Sequence, residues 1–106
     1  FGGLDTLVAN AGIWVERDAP IHKMPLAQWQ RTIDTDLTSV FLCCREFAKI
    51  VKQQRRGNGV LVGSTAGIFG EPGHADYAAA KSALAYGLTR TLKNEFAKLA
   101  PPTCAP

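Results

Sequence analysis

Two kinds of order alternate along the chain. Thr6-Leu7-Val8-Ala9 is a short apolar run without helical period, closed by Asn10-Ala11-Gly12. It predicts a buried strand that runs into a turn. Residues 13–24 are mixed, contain Pro20 and predict a loop. Pro25 then fits a first helical position, where its missing N–H costs nothing. Beyond it Leu26, Trp29, Ile33, Val40, Cys43, Phe47 and Ile50 fall on one stripe at spacings of three and four, with Asp36 as its charged member. The stop signal for this helix lies at Arg55–Gly59. Val60-Leu61-Val62 predicts a second buried strand, leaving into Gly63-Ser64-Thr65, and Gly67, Gly70, Pro72 and Gly73 predict a loop after it. A second long helix is expected from Ala75 to about Leu99, with Leu84, Leu88, Leu92 and Phe96 as its apolar row and Pro101-Pro102 as its stop.

Strand, helix, strand, helix with near-continuous apolar strands is the order of a parallel sheet covered by helices, hence an α/β fold. Two strands do not make a complete parallel sheet. The chain therefore predicts a partial Rossmann-like, doubly wound sheet: two strands and two long helices of a domain that needs roughly six strands. Residues 1–99 are expected to be the central part of that single domain. Residues 100–106 form a Pro-rich tail, expected to be disordered.

Composition changes this picture little. At 106 residues there is room for one domain, and 46% apolar with 20% charged residues is an ordinary globular balance. The longest apolar runs are too short to span a bilayer, and no signal peptide is visible, so a cytoplasmic protein without membrane contact is expected. Cys43, Cys44 and Cys104 have neither disulfide-framework nor metal-ligand spacing. They predict reduced thiols and no metal. Net charge is only +3, and Lys49, Lys52, Arg55 and Arg56 crowd where a helix should end. There they complement the helix dipole, which argues against a nucleic-acid surface.

The candidate chemistry begins with Tyr77 and Lys81, four apart and so on one face of the second helix. A free tyrosine, with a pKa of about 10, is about three units, or roughly 4 kcal/mol, from proton transfer near neutrality. A lysine ammonium about 4 Å away supplies roughly that at an effective dielectric of about 20. The same spacing also arises when a surface tyrosine lies along a lysine stem. Ser64 stands thirteen residues before Tyr77, at the C-terminal end of a predicted parallel strand, where doubly wound sheets bind ligands. A serine there also serves as a turn or cap residue. Gly63-Ser64-Thr65-Ala66-Gly67 lacks the spacing of a hydrolase nucleophile elbow. Gly57, Gly59 and Gly63 lead into a strand instead of out of one, the wrong context for a dinucleotide loop. Asn10-Ala11-Gly12 ends the first strand at the same sheet edge as Ser64, and Gly12 lets backbone approach a ligand. Asp36, a carboxylate on an apolar stripe, costs several kcal/mol unless paired. It either reaches water or backbone at a helix kink, or faces the site and pairs with Lys81.

Together these residues resemble the short-chain dehydrogenase/reductase family. Val8-Ala9-Asn10-Ala11-Gly12-Ile13 is similar to its Asn-Ala-Gly element, Gly63-Ser64-Thr65-Ala66-Gly67 to its serine element, and Tyr77-Ala78-Ala79-Ala80-Lys81 to its Tyr-x-x-x-Lys element. Trp29 leads into the long helix as the family's tryptophan does, and the likeness runs over residues 1–99. The resemblance implies a Rossmann fold, NAD or NADP as cofactor, and hydride transfer between the nicotinamide and a hydroxyl or carbonyl substrate. It implies that Tyr77 exchanges a proton with the substrate oxygen and Ser64 polarises that oxygen. Lys81 would favour the tyrosinate and hold the nicotinamide ribose. Asn10, Ala11 and Gly12 would lie against the cofactor. Asp36 stands where the family has an asparagine that anchors a water in a proton relay through the lysine. The two long helices would form a homodimer or homotetramer interface.

The resemblance also puts the family's glycine-rich phosphate loop before Phe1, together with the residue that chooses NAD or NADP, and a further strand after Leu99. The chain is accordingly expected to be a fragment. Two readings from different classes follow: an NAD(P)-dependent oxidoreductase, or a catalytically inactive fragment that at most associates through its long helices.

Overall fold

The first apolar run forms strand β1, Thr6–Ala9, and the second overlaps β2, Asn58–Leu61, which starts two residues earlier than expected and leaves Val62 outside, in a computed structural model that describes residues 3–10 and 12–100. The strands are parallel, with Thr6 beside Asn58 and Ala9 beside Leu61. One further ladder bond, from Val62 N–H to Ala9 O at 3.1 Å, carries the pairing to the point where both chains leave the sheet. The order is strand, long helix, strand, long helix. The fold is a two-stranded piece of a Rossmann-like α/β sheet, as expected.

Three further expectations change. Both strands were expected to be buried, but they alternate. Leu7, Ala9 and Leu61 face the helices, while Val8 and Val60 are 58% and 50% exposed. Successive side chains of a strand point to opposite faces, and among the described residues the helices cover only one of them.

The first long helix is not uniform. It runs as α1, Leu26–Ile33, a wide π-helical segment, Asp34–Thr38, and α2, Ser39–Gln54. Pro25 sits just outside it in extended conformation, and its carbonyl accepts from Trp29 N–H, so the helix starts one residue later than expected. In the wide segment Ser39 N–H reaches back five residues to Asp34 O. The buried line after it therefore runs through Val40, Cys44, Phe47 and Val51, and Cys43 is exposed. The helix stops where expected, with Arg55 in the left-handed region at φ 64°. There Gln54 ties the helix end to Leu4, just ahead of β1.

The segment after Ser64 contains a short helical turn, α3, Ala66–Phe69, where only loop was expected. Gly67 explains how it packs. A Cβ there would stand 2.7 Å from the Lys81 carbonyl carbon and 2.8 Å from Ser82 N. Only glycine lets this turn lie directly on the following helix. That helix runs as α4, Ala75–Ser82, a second π-helical segment, Ala83–Leu88, and α5, Thr89–Leu99. Val40, Cys44 and Leu84 form the centre of the core, with Leu7, Leu37, Leu61, Leu88 and Leu92 against it. Among the described residues no helix is long and apolar enough to cross a membrane. The tail from Pro101 to Pro106, including Cys104, lies outside the described residues.

Candidate active site

The parallel register brings the ends of β1 and β2 together, and α4 lies across them. Asn10, Gly12, Ile13, Trp14, Val62, Gly63, Tyr77 and Lys81 line one cleft of about 210 Å³ at that edge. Of the predicted site residues, Asn10, Gly12, Tyr77 and Lys81 therefore share a single space. Ala11 lies outside the described residues. Ser64 follows the cleft residue Gly63, and its hydroxyl accepts from Ala66 N–H at 3.2 Å, so it also turns the chain into α3. A larger cavity, about 410 Å³, lies elsewhere, between Leu7, Phe47, Leu92 and Phe96 at the other end of the strands. It is apolar and holds none of the predicted chemistry.

Lys81 is buried, and its ammonium donates to Val62 O at 3.1 Å, across the mouth of the sheet. An ammonium has three donors, so this bond anchors it without exhausting it. Its Nζ stands 5.7 Å from the centre of the Tyr77 ring. A Cβ built on Gly12 would meet Asp36 Oδ1 at 3.4 Å and Lys81 Nζ at 3.5 Å. The glycine thus keeps open the gap between the carboxylate and the ammonium.

Asp36 sits in the first π-helical segment and is fully buried. Its Oδ1 accepts from Ile13 N–H at 2.6 Å, and Oδ2 has no partner among the described residues. Both sequence readings hold in part. The helix widens there and the carboxylate reaches backbone, yet it also faces the Lys81 side of Gly12. It makes no ion pair with Lys81 among the described residues. Loss of solvent pushes its pKa up, and the Ile13 bond and the Lys81 charge only partly oppose that.

Two features were missed. Asp76, directly before Tyr77, is buried and accepts from Thr32 Oγ1 at 2.6 Å and Gln28 Nε2 at 3.3 Å. It clasps the start of α4 to α1. Loss of solvent is the largest influence on its carboxyl and pushes the pKa up. The bonds from Thr32, the Tyr77 backbone and Gln28 together outweigh this and hold it below the usual carboxylate value. An acid in the first turn of a helix was a readable signal; its partners were not.

The second missed feature is an aromatic stack. Trp14 lies face-on to the His74 ring at 3.7 Å and edge-on to the Tyr77 ring at 4.8 Å. His74 Nε2 donates to Asp18 at 2.9 Å, and Ala19 N–H to Gly73 O at 2.9 Å. These contacts pin the loop after Gly12 onto the start of α4. Gly73, at φ 85°, would bring a Cβ within 3.0 Å of Asp18 Cβ, so it admits only hydrogen there.

The cleft thus gathers a tyrosine, a buried lysine and an Asn-x-Gly turn at the edge of an α/β sheet. The chain belongs to the short chain dehydrogenase family, whose model matches residues 1–100. It is 42% identical over 97 residues to a 3-oxoacyl-(acyl-carrier-protein) reductase of Synechocystis sp., covering 92% of this chain and 38% of that protein. It is 43% identical over 91 residues to a cis-4-hydroxycyclohexanecarboxylate dehydrogenase of Sinomonas cyclohexanicum, covering 86% of this chain and 36% of that protein. A 3-oxoacyl-(acyl-carrier-protein) reductase of Vibrio cholerae is 38% identical over 97 residues, covering 92% and 38%. The chain thus spans a little over a third of the length of the curated relatives it matches.

Proposed function

We propose that this chain carries the proton-transfer half of an NAD(P)-dependent oxidoreductase that interconverts a hydroxyl and a carbonyl group. The observation that carries the reading is the shared cleft of Tyr77, Lys81, Asn10 and Gly12. Family membership supports it, and so do the relatives' names, reductases of an oxo group and a dehydrogenase of a hydroxyl compound. We read residues 1–99 as the central part of one Rossmann domain.

Tyr77 delivers its phenolic proton to the substrate oxygen during reduction and recovers it during oxidation. The Lys81 ammonium, 5.7 Å from the ring centre, lies close enough to favour the developing negative charge. Ser64 holds the same substrate oxygen once its hydroxyl turns from Ala66. The open gap at Gly12 and the spare donors of Lys81 fit the ribose end of a nicotinamide cofactor, with Asn10, Ala11, Gly12, Tyr77 and Lys81 around it. The cofactor supplies or takes up the hydride. Asp36 stands where the family has the asparagine that anchors a water in a relay through the lysine; with Oδ1 on the Ile13 N–H, Oδ2 is the atom left for such a water. The two long helices are the proposed homodimer or homotetramer surface, and the cytoplasm is the proposed location.

The test is a panel of ketones and secondary alcohols offered with each cofactor to the purified full-length protein that carries these residues. Nucleotide oxidation or reduction coupled to one substrate class is expected. No coupled turnover with either nucleotide contradicts the reading.

A further inference from the structure

The cleft has a polar side, Asn10 and Lys81, and an apolar side, Ile13 and Trp14. Trp14 stands out on three counts. It lines the cleft, it meets the Tyr77 ring edge-on, and it remains 44% exposed although one face is covered by His74. An exposed indole in a cleft keeps apolar surface in water that a bound ring would cover. This one is also held rigidly. His74 is buried behind it and bonded to Asp18, and the Ala19–Gly73 backbone bond fixes the loop from the other side. A pre-positioned aromatic plane is a cheap platform for a flat ring, because little freedom is left to lose on binding.

We infer that Trp14 is a specificity-determining residue. It forms an aromatic wall, backed by His74, that selects substrates whose hydroxyl or carbonyl carbon is attached directly to a planar ring. The ring rests on the indole while the oxygen points to Tyr77. This rests on the oxidoreductase reading for the identity of the reacting group, but not for the ring-binding surface itself.

The test compares an aryl alkyl ketone with a straight-chain ketone of the same carbon number, in the full-length protein and its Trp14→Ala and Trp14→Phe variants. The aryl preference should fall by about 10-fold in Trp14→Ala, through KM and not kcat, and survive within about 3-fold in Trp14→Phe. A second readout needs no turnover. The aryl ketone should saturably quench a component of the tryptophan fluorescence that Trp14→Phe removes, while the straight-chain ketone does not. Equal losses for both ketones, or quenching that does not saturate, overturn the inference. Saturable quenching without turnover of either ketone leaves the aromatic wall standing and removes the oxidoreductase reading instead.

Discussion

Asp36 and Asp76 are both buried within the same pair of helices, and their carboxyls are pushed in opposite directions. The difference lies in how many donors each one meets. Asp76 gathers a hydroxyl and an amide on one oxygen, and with the influence of the Tyr77 backbone these offset the loss of water. Asp36 collects one backbone N–H and faces an ammonium that is already engaged with Val62. Each keeps its other oxygen without a partner among the described residues. Burial alone therefore does not decide what a carboxylate does. At the clasp it is a charged structural link. At the site burial pushes the carboxyl above its ordinary value. The carboxyl held below the ordinary value stands directly before Tyr77, and the one pushed above it lies near Lys81.

The contrast is open to mutation, and the largest effect is expected at the clasp. Asp76→Ala strands the Thr32 hydroxyl and the Gln28 amide and should cost about 3 kcal/mol in urea unfolding. A loss below about 0.5 kcal/mol would erase the distinction between the two carboxylates. Gly67→Ala perturbs the same helix without touching either acid. Its Cβ would press on the Lys81–Ser82 backbone, and we expect a loss of about 2 kcal/mol by the same measurement.

The pH dependence sharpens the comparison further. Asp76 has a lowered folded pKa. Its contribution is present above the ordinary carboxylate value of about 4 and fades as pH falls through the lower folded value. Asp36 has a raised one. Its contribution is present below that ordinary value and fades as pH rises through the folded value. Asp36→Asn keeps an acceptor for Ile13 and removes the ionisation, so at neutral pH it should stabilise by about 1 kcal/mol. The gain should shrink in acid, as followed by thermal unfolding across pH. A variant less stable at neutral than at acid pH, relative to the parent, would contradict the assignment. The smallest effect belongs to the exposed Glu46, held by Arg45 and Lys49. Glu46→Gln should leave the urea midpoint unchanged within error, alone and in a double-mutant cycle with Lys49.

What the sequence made legible follows distance along the chain. The element order and the helix stops at Arg55 and after Leu99 were readable because they rest on local period and local turn residues. Tyr77 and Lys81 were readable because a helix turns a spacing of four into a shared face. The Asp76–Thr32 bond spans 44 residues, and the Trp14–His74 stack joins a loop to a helix start across most of the chain. Neither leaves a periodic trace. The π-helical segments were hidden for another reason. One extra residue per turn shifts the apolar stripe by one position, and adjacent Cys43 and Cys44 fit either phase. The helical turn at Ala66–Phe69 was masked by its own glycine, which serves close packing on α4 and not chain reversal.

The central claim is that Tyr77 moves the proton in this cleft while Lys81 holds its charge. The most direct test is turnover of Tyr77→Phe in the full-length protein, with nucleotide binding titrated in parallel by fluorescence. The account predicts that kcat falls roughly 100- to 10,000-fold while nucleotide affinity stays within about 3-fold. A phenylalanine variant that turns over within about 10-fold of the parent would contradict it.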